Sequence, residues 1–541
     1  MFSVSRRPTC TRLWRALRAL RLGTGGRELP QEPAPTIPNV SEAADHTRHP
    51  AQLIRKLAMA NAACRYQTAR RYAHELLRLL SGLAPQLRYR ALPLIVEIML
   101  AFGEESAVVE LVAGFPNDFL HSPRALGLAM SCLDASANGA ADCLFAVAQR
   151  RLHASVLAAR WEAGRLSGEA VLELLARHPL RVAMDPTLEL LAFNIVKQSY
   201  PDLASRTMNR FLAAYGLRPL QVSRRPGCFL GRLSASSKEG HTAGGPLVSI
   251  IVAARNAQRT IAYAIDSLLA QSHENIEVLV CDDDSTDGTF DVLLERYGSD
   301  RCVRLFRSPR RQGTYNIRNE LIPLARGSLV TFHDADDWSL PDRLALQVEA
   351  MQCRAVVACL SSWVRMREDG TVVFFRNGAA VRMSVVSLMM RKEVCLSCGP
   401  FRSALFGADF EFHQTLRTRY GDPRLARLQA PLILSLWSCD SLTRTPGAEA
   451  LETGYRAPAR RAYCEIVAQR TLRGPQAVTD TDIDAVLREY DNYVEPSGVI
   501  ECLERRRSPA NGSALERPAP PHAERGTRGV RPCAAGAWSV E

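Results

Sequence analysis

The stretch Leu329-Val330-Thr331-Phe332-His333-Asp334-Ala335-Asp336-Asp337-Trp338-Ser339 runs from a short apolar segment straight into three closely spaced carboxylates. Leu329 to Phe332, behind Gly327-Ser328, is β-branched and aromatic, as buried strands are. The carboxylates therefore fall at the C-terminal end of a strand. In a parallel sheet that end opens into the crevice where ligands bind. Like charges this close repel each other unless a cation binds among them, and Asp334 and Asp336 share a side if the chain stays extended. Mg2+ in particular is held by one or two carboxylates together with substrate phosphates. The plainer reading is a solvated acidic turn that caps the next helix, since Ser339-Leu340-Pro341-Asp342 has the form of a capping box with proline in the first turn. It accounts for Ser339 and Asp342 but not for Asp334 or Asp336.

Upstream, the pattern alternates. Leu247 to Val252 reads as a buried strand, Arg259 to Gln271 as a helix with Ile261, Ile265, Leu268 and Leu269 on one face, and Ile276 to Val280 as a second strand. That strand ends in Asp282-Asp283-Asp284-Ser285-Thr286-Asp287-Gly288. Thr286 or Asp287 is placed to cap a helix carrying Phe290, Leu293, Leu294 and Tyr297, which Gly298 closes. Cys302 to Phe306 is a third strand, and Tyr315 to Ala325 a helix that Pro323 must kink or shorten. Strands alternating with helices predict a parallel sheet wrapped on both faces. Both acidic clusters then open on one edge. Downstream, Val356 to Leu360, Val372 to Phe375, Val385 to Met390 and Leu432 to Trp437 read as strands of a mixed sheet. Gly407-Ala408-Asp409-Phe410-Glu411-Phe412-His413 opens a helix ended by Gly421, and further helices fall near Arg460 to Thr471 and Asp482 to Tyr493.

The chain has 541 residues, which predicts two or three domains. Its formal charge of +12 sits at the ends: residues 1–27 hold seven arginines and no acid, and residues 505–541 hold seven arginines against three acids. The ends thus carry +7 and +4, leaving +1 between them. A nucleic-acid groove through the folded body is poorly supported, so no nucleic-acid partner is expected. Fifteen cysteines without a repeating framework read as reduced thiols of a cytosolic protein. Cys395-Leu396-Ser397-Cys398 lacks a second pair at zinc-ligand spacing and reads as two buried strand cysteines. No apolar run reaches the roughly 18 residues of a membrane span. The longest, Ala91 to Phe102, is broken by Glu97. Arginines at 12, 15, 18 and 21 interrupt the place of a signal-peptide core, so the expected location is the cytoplasm. Thr11 to Leu22 has the spacing of a short basic amphipathic helix, suited to peripheral contact with the inner face of the plasma membrane. A disordered basic leader is equally open. From about 50 to 217 the pattern is helical, with breaks at Gly82, Gly103, Pro116-Asn117 and Gly139, and helix pairs without a readable repeat period are predicted. Such a region is a packing scaffold or a docking surface for a protein partner.

Taken together, these blocks resemble the family 2 glycosyltransferases, inverting sugar transferases of the GT-A fold, over about 246 to 445. Ser249-Ile-Ile-Val-Ala-Ala-Arg-Asn256 is similar to the family's first strand and its Pro-Val-Tyr-Asn end, with Ala253 and Arg255 replacing Pro and Tyr. Val280-Cys-Asp-Asp-Asp-Ser-Thr-Asp-Gly-Thr289 resembles the Asp-Asp-Gly-Ser block, with Asp284 for its glycine, and Asp334-Ala335-Asp336 is similar to the Asp-x-Asp motif. The resemblance implies that Ala253, Arg255, Asp283 and Asp334 bind the donor, with Asp283 accepting from the N3 proton of a uracil ring. It implies that Asp336 holds Mg2+ or Mn2+ against the donor's phosphates. Asp409 matches the downstream acidic pair, whose usual Glu is Ala408, and is implied to be the general base. Glu411 faces elsewhere if both are helical. The expected donor is a nucleotide diphosphate sugar, with a uridine carrier favoured, and the acceptor a hydroxyl of a glycan or lipid-linked oligosaccharide, as in surface polysaccharide synthesis. The Gln-x-x-Arg-Trp motif of processive synthases is absent. The alternative is a non-catalytic interaction protein with a decayed nucleotide-sugar domain. The expected fold is α/β, a GT-A mixed sheet flanked by helices and preceded by an all-α domain. Its expected divisions are 1–47 leader and linker, 48–217 helical, 218–245 linker, 246–445 GT-A, 446–504 helical extension and 505–541 disordered tail.

Overall fold

The computed structural model describes residues 49–62, 64–135, 154–224, 227–235, 244–375, 380–438, 441 and 457–502. The leader, its Thr11 to Leu22 stretch, and the 505–541 tail lie outside the described residues. The described residues between Pro50 and Ala213 run as helices, beginning with Pro50–Ala62, Tyr66–Leu79 and Pro85–Ala101. These pack on alanines and leucines at helical spacing, such as Ala69, Ala73 and Leu76. Within 218–245, β1 (Leu220–Val222) pairs antiparallel with β2 (Leu233–Ala235).

A nine-stranded mixed sheet follows, built from β3 (Val248–Ala254), β4 (Ile276–Asp283), β5 (Val303–Ser308), β6 (Leu329–Asp334), β7 (Asp337–Ser339), β8 (Ala358–Met366), β9 (Val381–Arg391), β10 (Leu425–Leu436) and β11 (Glu501–Cys502). Their spatial order is β11-β5-β4-β3-β6-β9-β8-β10-β7. β5, β4, β3 and β6 are parallel neighbours, so their C-terminal ends share one edge. β9 runs antiparallel to both β6 and β8, which makes the sheet mixed as expected. The Ile261–Leu269 helix covers one face through Ile261, Ile265 and Leu268. Gly313–Leu324 covers the other through Ile317 and Leu321. Pro323 sits in that helix's last turn and shortens it. Buried residues of the N-terminal helices form one continuous apolar cluster with Trp338, Val364, Met366 and Leu434 of the sheet.

Four local expectations are corrected. Val372 to Phe375 is not a ladder strand: beyond a bridge from Val372 to Met366, its backbone is held by the side chain of buried Asn194, which donates to Val372 O (2.8 Å) and accepts from Val372 N (2.7 Å). Cys395 and Cys398 lie on the Lys392–Cys398 helix, not on a strand. Ser339 does not cap the next helix, because it belongs to β7. Asp342 occupies the N-cap position without a side-chain cap bond, since its carboxylate is turned to the backbone N–H and guanidinium of Arg218. The last helix spans Asp480–Glu489 and starts earlier than expected, because Thr479 and Asp482 form a reciprocal capping box. No helix among the described residues is long and apolar enough to cross a membrane.

Candidate active site

β3, β4 and β6 deliver their last residues side by side. Ala253 stands in register with Cys281 on one flank and Asp334 on the other. Arg255, just past β3, donates to the carbonyls of Asp283 (2.6 Å) and Asp284 (2.5 Å). It staples the two loops together. Asp284 and Asn256 both have left-handed backbone, φ 55° and φ 49°. That conformation explains why the related block has glycine where this chain has Asp284, and Asp and Asn are the residues that tolerate it best.

Asp283 is buried, and its carboxylate accepts from the backbone N–H of Gln312 (2.7 Å) and Gly313 (2.8 Å) at the start of the Gly313–Leu324 helix. Burial raises its pKa, and those two N–H groups pull it back. Each oxygen keeps a further lone pair able to accept. Asp282 has no exposed surface, accepts from Ser285 N (3.4 Å) and lies 3.6 Å from Arg307, a structural position.

β6 ends at Asp334, and the chain turns at Ala335-Asp336 before β7. Asp334 and Asp336 are thus joined by a turn and not by extended chain, contrary to expectation. Asp334 is 36% exposed at its side chain and meets Arg318 at 3.2 Å. Burial raises its pKa, Arg318 opposes, and the charge of Asp409 adds to the rise. Asp336 is pushed up to about 7 by burial and then by Asp334. Asp337 is buried, with one oxygen accepting from Leu436 N (3.2 Å), and its pKa is raised well above the usual range by burial and then by Asp336 and Asp334. Burial and mutual repulsion raise the pKa of all three carboxylates although Arg318, Arg343 and Arg365 stand near the cluster, so a cation placed among them would favour their charged forms. Among the described residues no group of three or more His, Cys, Asp or Glu side chains could enclose an ion alone. One or two hard oxygens completed by donor phosphates need no such group.

Asp409 is the second residue of the Ala408–Tyr420 helix, whose N-cap is Gly407 in a left-handed conformation, φ 88°. Its Oδ1 accepts from Tyr315 Oη (3.0 Å) and from Phe410 N (2.9 Å). Glu411 turns away: its carboxylate is gripped by Arg402 (2.8 and 2.9 Å) and by Tyr463 Oη (2.7 Å). With Arg402 also bound to Asp480 and Asp484, this network lines a separate cleft of about 680 Å3 behind the helix. His413 has a pKa lowered to about 4 by burial and then by Arg417 and Arg427. Trp437 packs with Val373 and Phe375 as a core residue, and Asp440 is outside the described residues.

Three residues that sequence reasoning did not single out complete the geometry. Arg318, 3% exposed at its side chain, stacks over Phe332 at 4.6 Å while reaching Asp334. Fully buried Arg343 donates to Phe332 O (2.8 Å) and Thr331 Oγ1 (3.0 Å) beneath the acidic turn. Its Nη1 lies 3.0 Å from His333 Nδ1, so that nitrogen accepts and His333 is neutral, with its pKa well below the usual range because it is buried. Tyr315 bridges Gly407 N (3.1 Å) and Asp409. Tyr315 reaches Asp409 across 94 residues, a pairing no local signal encodes.

Acidic strand ends gathered at the parallel edge of a mixed, helix-flanked sheet make this a GT-A domain. Residues 249–395 match the family model described as Glycosyl transferase family 2, and that part of the chain is a family 2 glycosyltransferase domain. Two curated relatives from Escherichia coli are UDP-Glc:alpha-D-GlcNAc-diphosphoundecaprenol beta-1,3-glucosyltransferases. WfaP is 32% identical over 117 residues, covering 22% of this chain and 46% of the relative. WfgD is 39% identical over 105 residues, covering 19% and 41%. The chain thus spans less than half the length of these relatives. Residues 1–349 of S. aureus TarS in complex with UDP-GlcNAc align with a TM-score of 0.34 at 17% identity, covering 45% of this chain and 71% of that one. A likeness of that degree carries no weight here.

Proposed function

We propose that the protein is a metal-dependent, inverting glycosyltransferase that moves a sugar from a nucleotide diphosphate sugar, with UDP as the favoured carrier, to a hydroxyl of a glycan or lipid-linked acceptor in surface polysaccharide synthesis. This reading is supported by the parallel edge at which β4 ends in Asp283 and β6 in Asp334, with the Asp336 turn following, and by the charge of Asp409 acting on Asp334. In it, Asp283 accepts from the uracil N3–H, while Ala253 and Arg255 form the adjoining wall. Asp334 supports the ribose side, and Asp336 would hold Mg2+ or Mn2+. When bound, the cation neutralises charge building on the departing diphosphate. Asp409 takes the proton of the attacking hydroxyl through its Oδ2, because Oδ1 is occupied by Tyr315 and Phe410 N–H. Attack from the face opposite the leaving group inverts the anomeric carbon in one displacement.

The family match and the activities named for the relatives support a transferase over the alternative of a non-catalytic interaction protein. The test is a screen of nucleotide sugars with added Mn2+ and mass-spectrometric detection of the released nucleotide. Release of UDP from one or more UDP sugars, abolished by chelation, is the expected result. No release from any donor, or release indifferent to chelator, overturns the reading.

A further inference from the structure

We propose that the first two helices, Pro50–Ala62 and Tyr66–Leu79, form a docking face for an anionic lipid bilayer. The two pack together through Leu53, Ile54, Leu57 and Ala60 on one and Ala69, Ala73 and Leu76 on the other. Their outer faces repeat at helical spacing: Gln52, Arg55, Lys56 and Met59 are exposed on the first, and Gln67, Arg71, His74 and Arg78 on the second. Between residues 50 and 79 there are six Lys and Arg against a single acid, Glu75. Arg70 is bound to Glu104, but none of Arg55, Lys56, Arg71 and Arg78 has an ion-pair partner among the described residues. Four cations without an internal partner on so small a face attract an anionic counterpart.

The apolar residues on the same face select the counterpart. Met59 is 65% exposed and Leu79 40% exposed, each one position away from or one turn beyond a cation. A soluble polyanion would engage the cations and leave both side chains in water. A bilayer takes both groups, with cations at the headgroups and Met and Leu among the upper acyl carbons. The sequence that precedes this face, with seven arginines and no acid in residues 1–27, adds charge of the same sign.

Its position gives the face a use, and here the inference rests on the transferase reading. Cys64, between the two helices, clusters with Cys464 and Ala468, and Phe410 packs against that cluster directly beside Asp409. Gln67 N also donates to Glu465 at 2.7 Å. A bilayer seated on the helix pair therefore lies on the flank of the proposed base, where a lipid-linked acceptor would enter.

The test uses the full chain and vesicles of neutral lipid alone or with about one-third phosphatidylglycerol. The expected result is co-sedimentation only with the anionic vesicles, lost in about 1 M salt, with slowed amide hydrogen exchange over residues 50–79. The quadruple variant Arg55→Glu, Lys56→Glu, Arg71→Glu, Arg78→Glu should bind about tenfold or more weakly. If it fails to fold, the corresponding glutamine set serves, and Met59→Ser with Leu79→Ser is a second, independent variant that should also weaken binding. Absence of vesicle binding, exchange protection confined to other segments, or variants that bind as wild type overturn the proposal. So does binding of a soluble anionic polysaccharide in place of the vesicles. Nucleotide release by the same variants is read in parallel. Its absence from wild type would count against the transferase reading alone.

Discussion

Tyr315 Oη donates to Asp409 Oδ1 at 3.0 Å while accepting from Gly407 N at 3.1 Å, so one buried hydroxyl fixes both the carboxylate and the backbone that presents it. Burial and then the Asp409 charge raise the Tyr315 pKa, keeping the phenol protonated and donating. Gly407 also leaves room for the Tyr463 ring. A Cβ there would stand 2.9 Å from the Tyr463 ring, at a φ that other residues rarely adopt.

Tyr315→Phe removes that hydroxyl without changing ring volume, leaving Gly407 N–H unpartnered at a cost of about 1–3 kcal/mol. The expected kinetic signature is a lower kcat with donor KM near wild type, because Asp409 is left with one anchor while the donor contacts at Asp283 are untouched. Steady-state kinetics decide it. A change confined to KM would mean that Tyr315 serves the donor.

Asp336→Asn separates function from stability. Asp336, its pKa raised by burial and by Asp334, is a source of repulsion in the cation-free protein. Neutralising it should raise Tm in chelator at pH 8 by about 2 °C or more, corresponding to roughly 1 kcal/mol in a chain of this size. The same variant should lose metal-enhanced donor binding by calorimetry. If Tm falls and metal-dependent binding persists, Asp336 is not the cation ligand.

His413 supplies a pH dependence away from the acidic cluster. It is half-buried on the Ala408–Tyr420 helix, facing Arg417, Arg427, Asp422 and, more weakly, Asp409, and its pKa is lowered to about 4. A histidine depressed on folding binds more protons when unfolded, so its share of stability is complete above the unfolded value of about 6.5 and shrinks as pH falls toward 4. Between pH 7.5 and pH 5 the loss amounts to about 2 kcal/mol at most. His413→Gln, which does not titrate, should lose less Tm than wild type over that interval. Parallel loss in both proteins would contradict the assignment.

The parallel strands and the two acidic ends were legible because burial on both faces imposes continuous apolar runs and two of those runs, β4 and β6, end in carboxylates. Leu329 to Phe332 and Ile276 to Val280 lie inside observed strands for that reason. Val372 to Phe375 was misread because its apolar side chains are buried as a strand's would be, while the backbone N–H and carbonyl of Val372 are satisfied by Asn194, 178 residues earlier. Ser339 and Asp342 were misread because a capping-box spacing does not reveal that Arg218 claims the carboxylate. In the site, carboxylates declare themselves by clustering. Their cationic and phenolic supports, Arg318, Arg343 and Tyr315, are spread along helices whose outward pattern differs in no way from ordinary packing.

The last prediction contrasts Asp409 with Glu411, two carboxylates on the first turn of one helix. A sugar hydroxyl is a weak nucleophile at neutral pH, and removal of its proton by a placed carboxylate contributes roughly 100- to 10,000-fold. Asp409→Asn retains an oxygen to accept from Tyr315 and Phe410 N–H, so the helix start and donor binding should survive while transfer falls by about that factor. Glu411→Gln instead disrupts a two-bond grip by Arg402, leaving that half-buried guanidinium with Asp480 and Asp484 only. It should lower Tm and leave transfer per folded molecule near wild type, since Glu411 lines the cleft behind the helix and not the crevice. Acceptor-dependent transfer, donor affinity and thermal melts of both variants resolve the pair. Wild-type transfer by Asp409→Asn, or lost turnover in a stably folded Glu411→Gln, would move the base from Asp409 to Glu411.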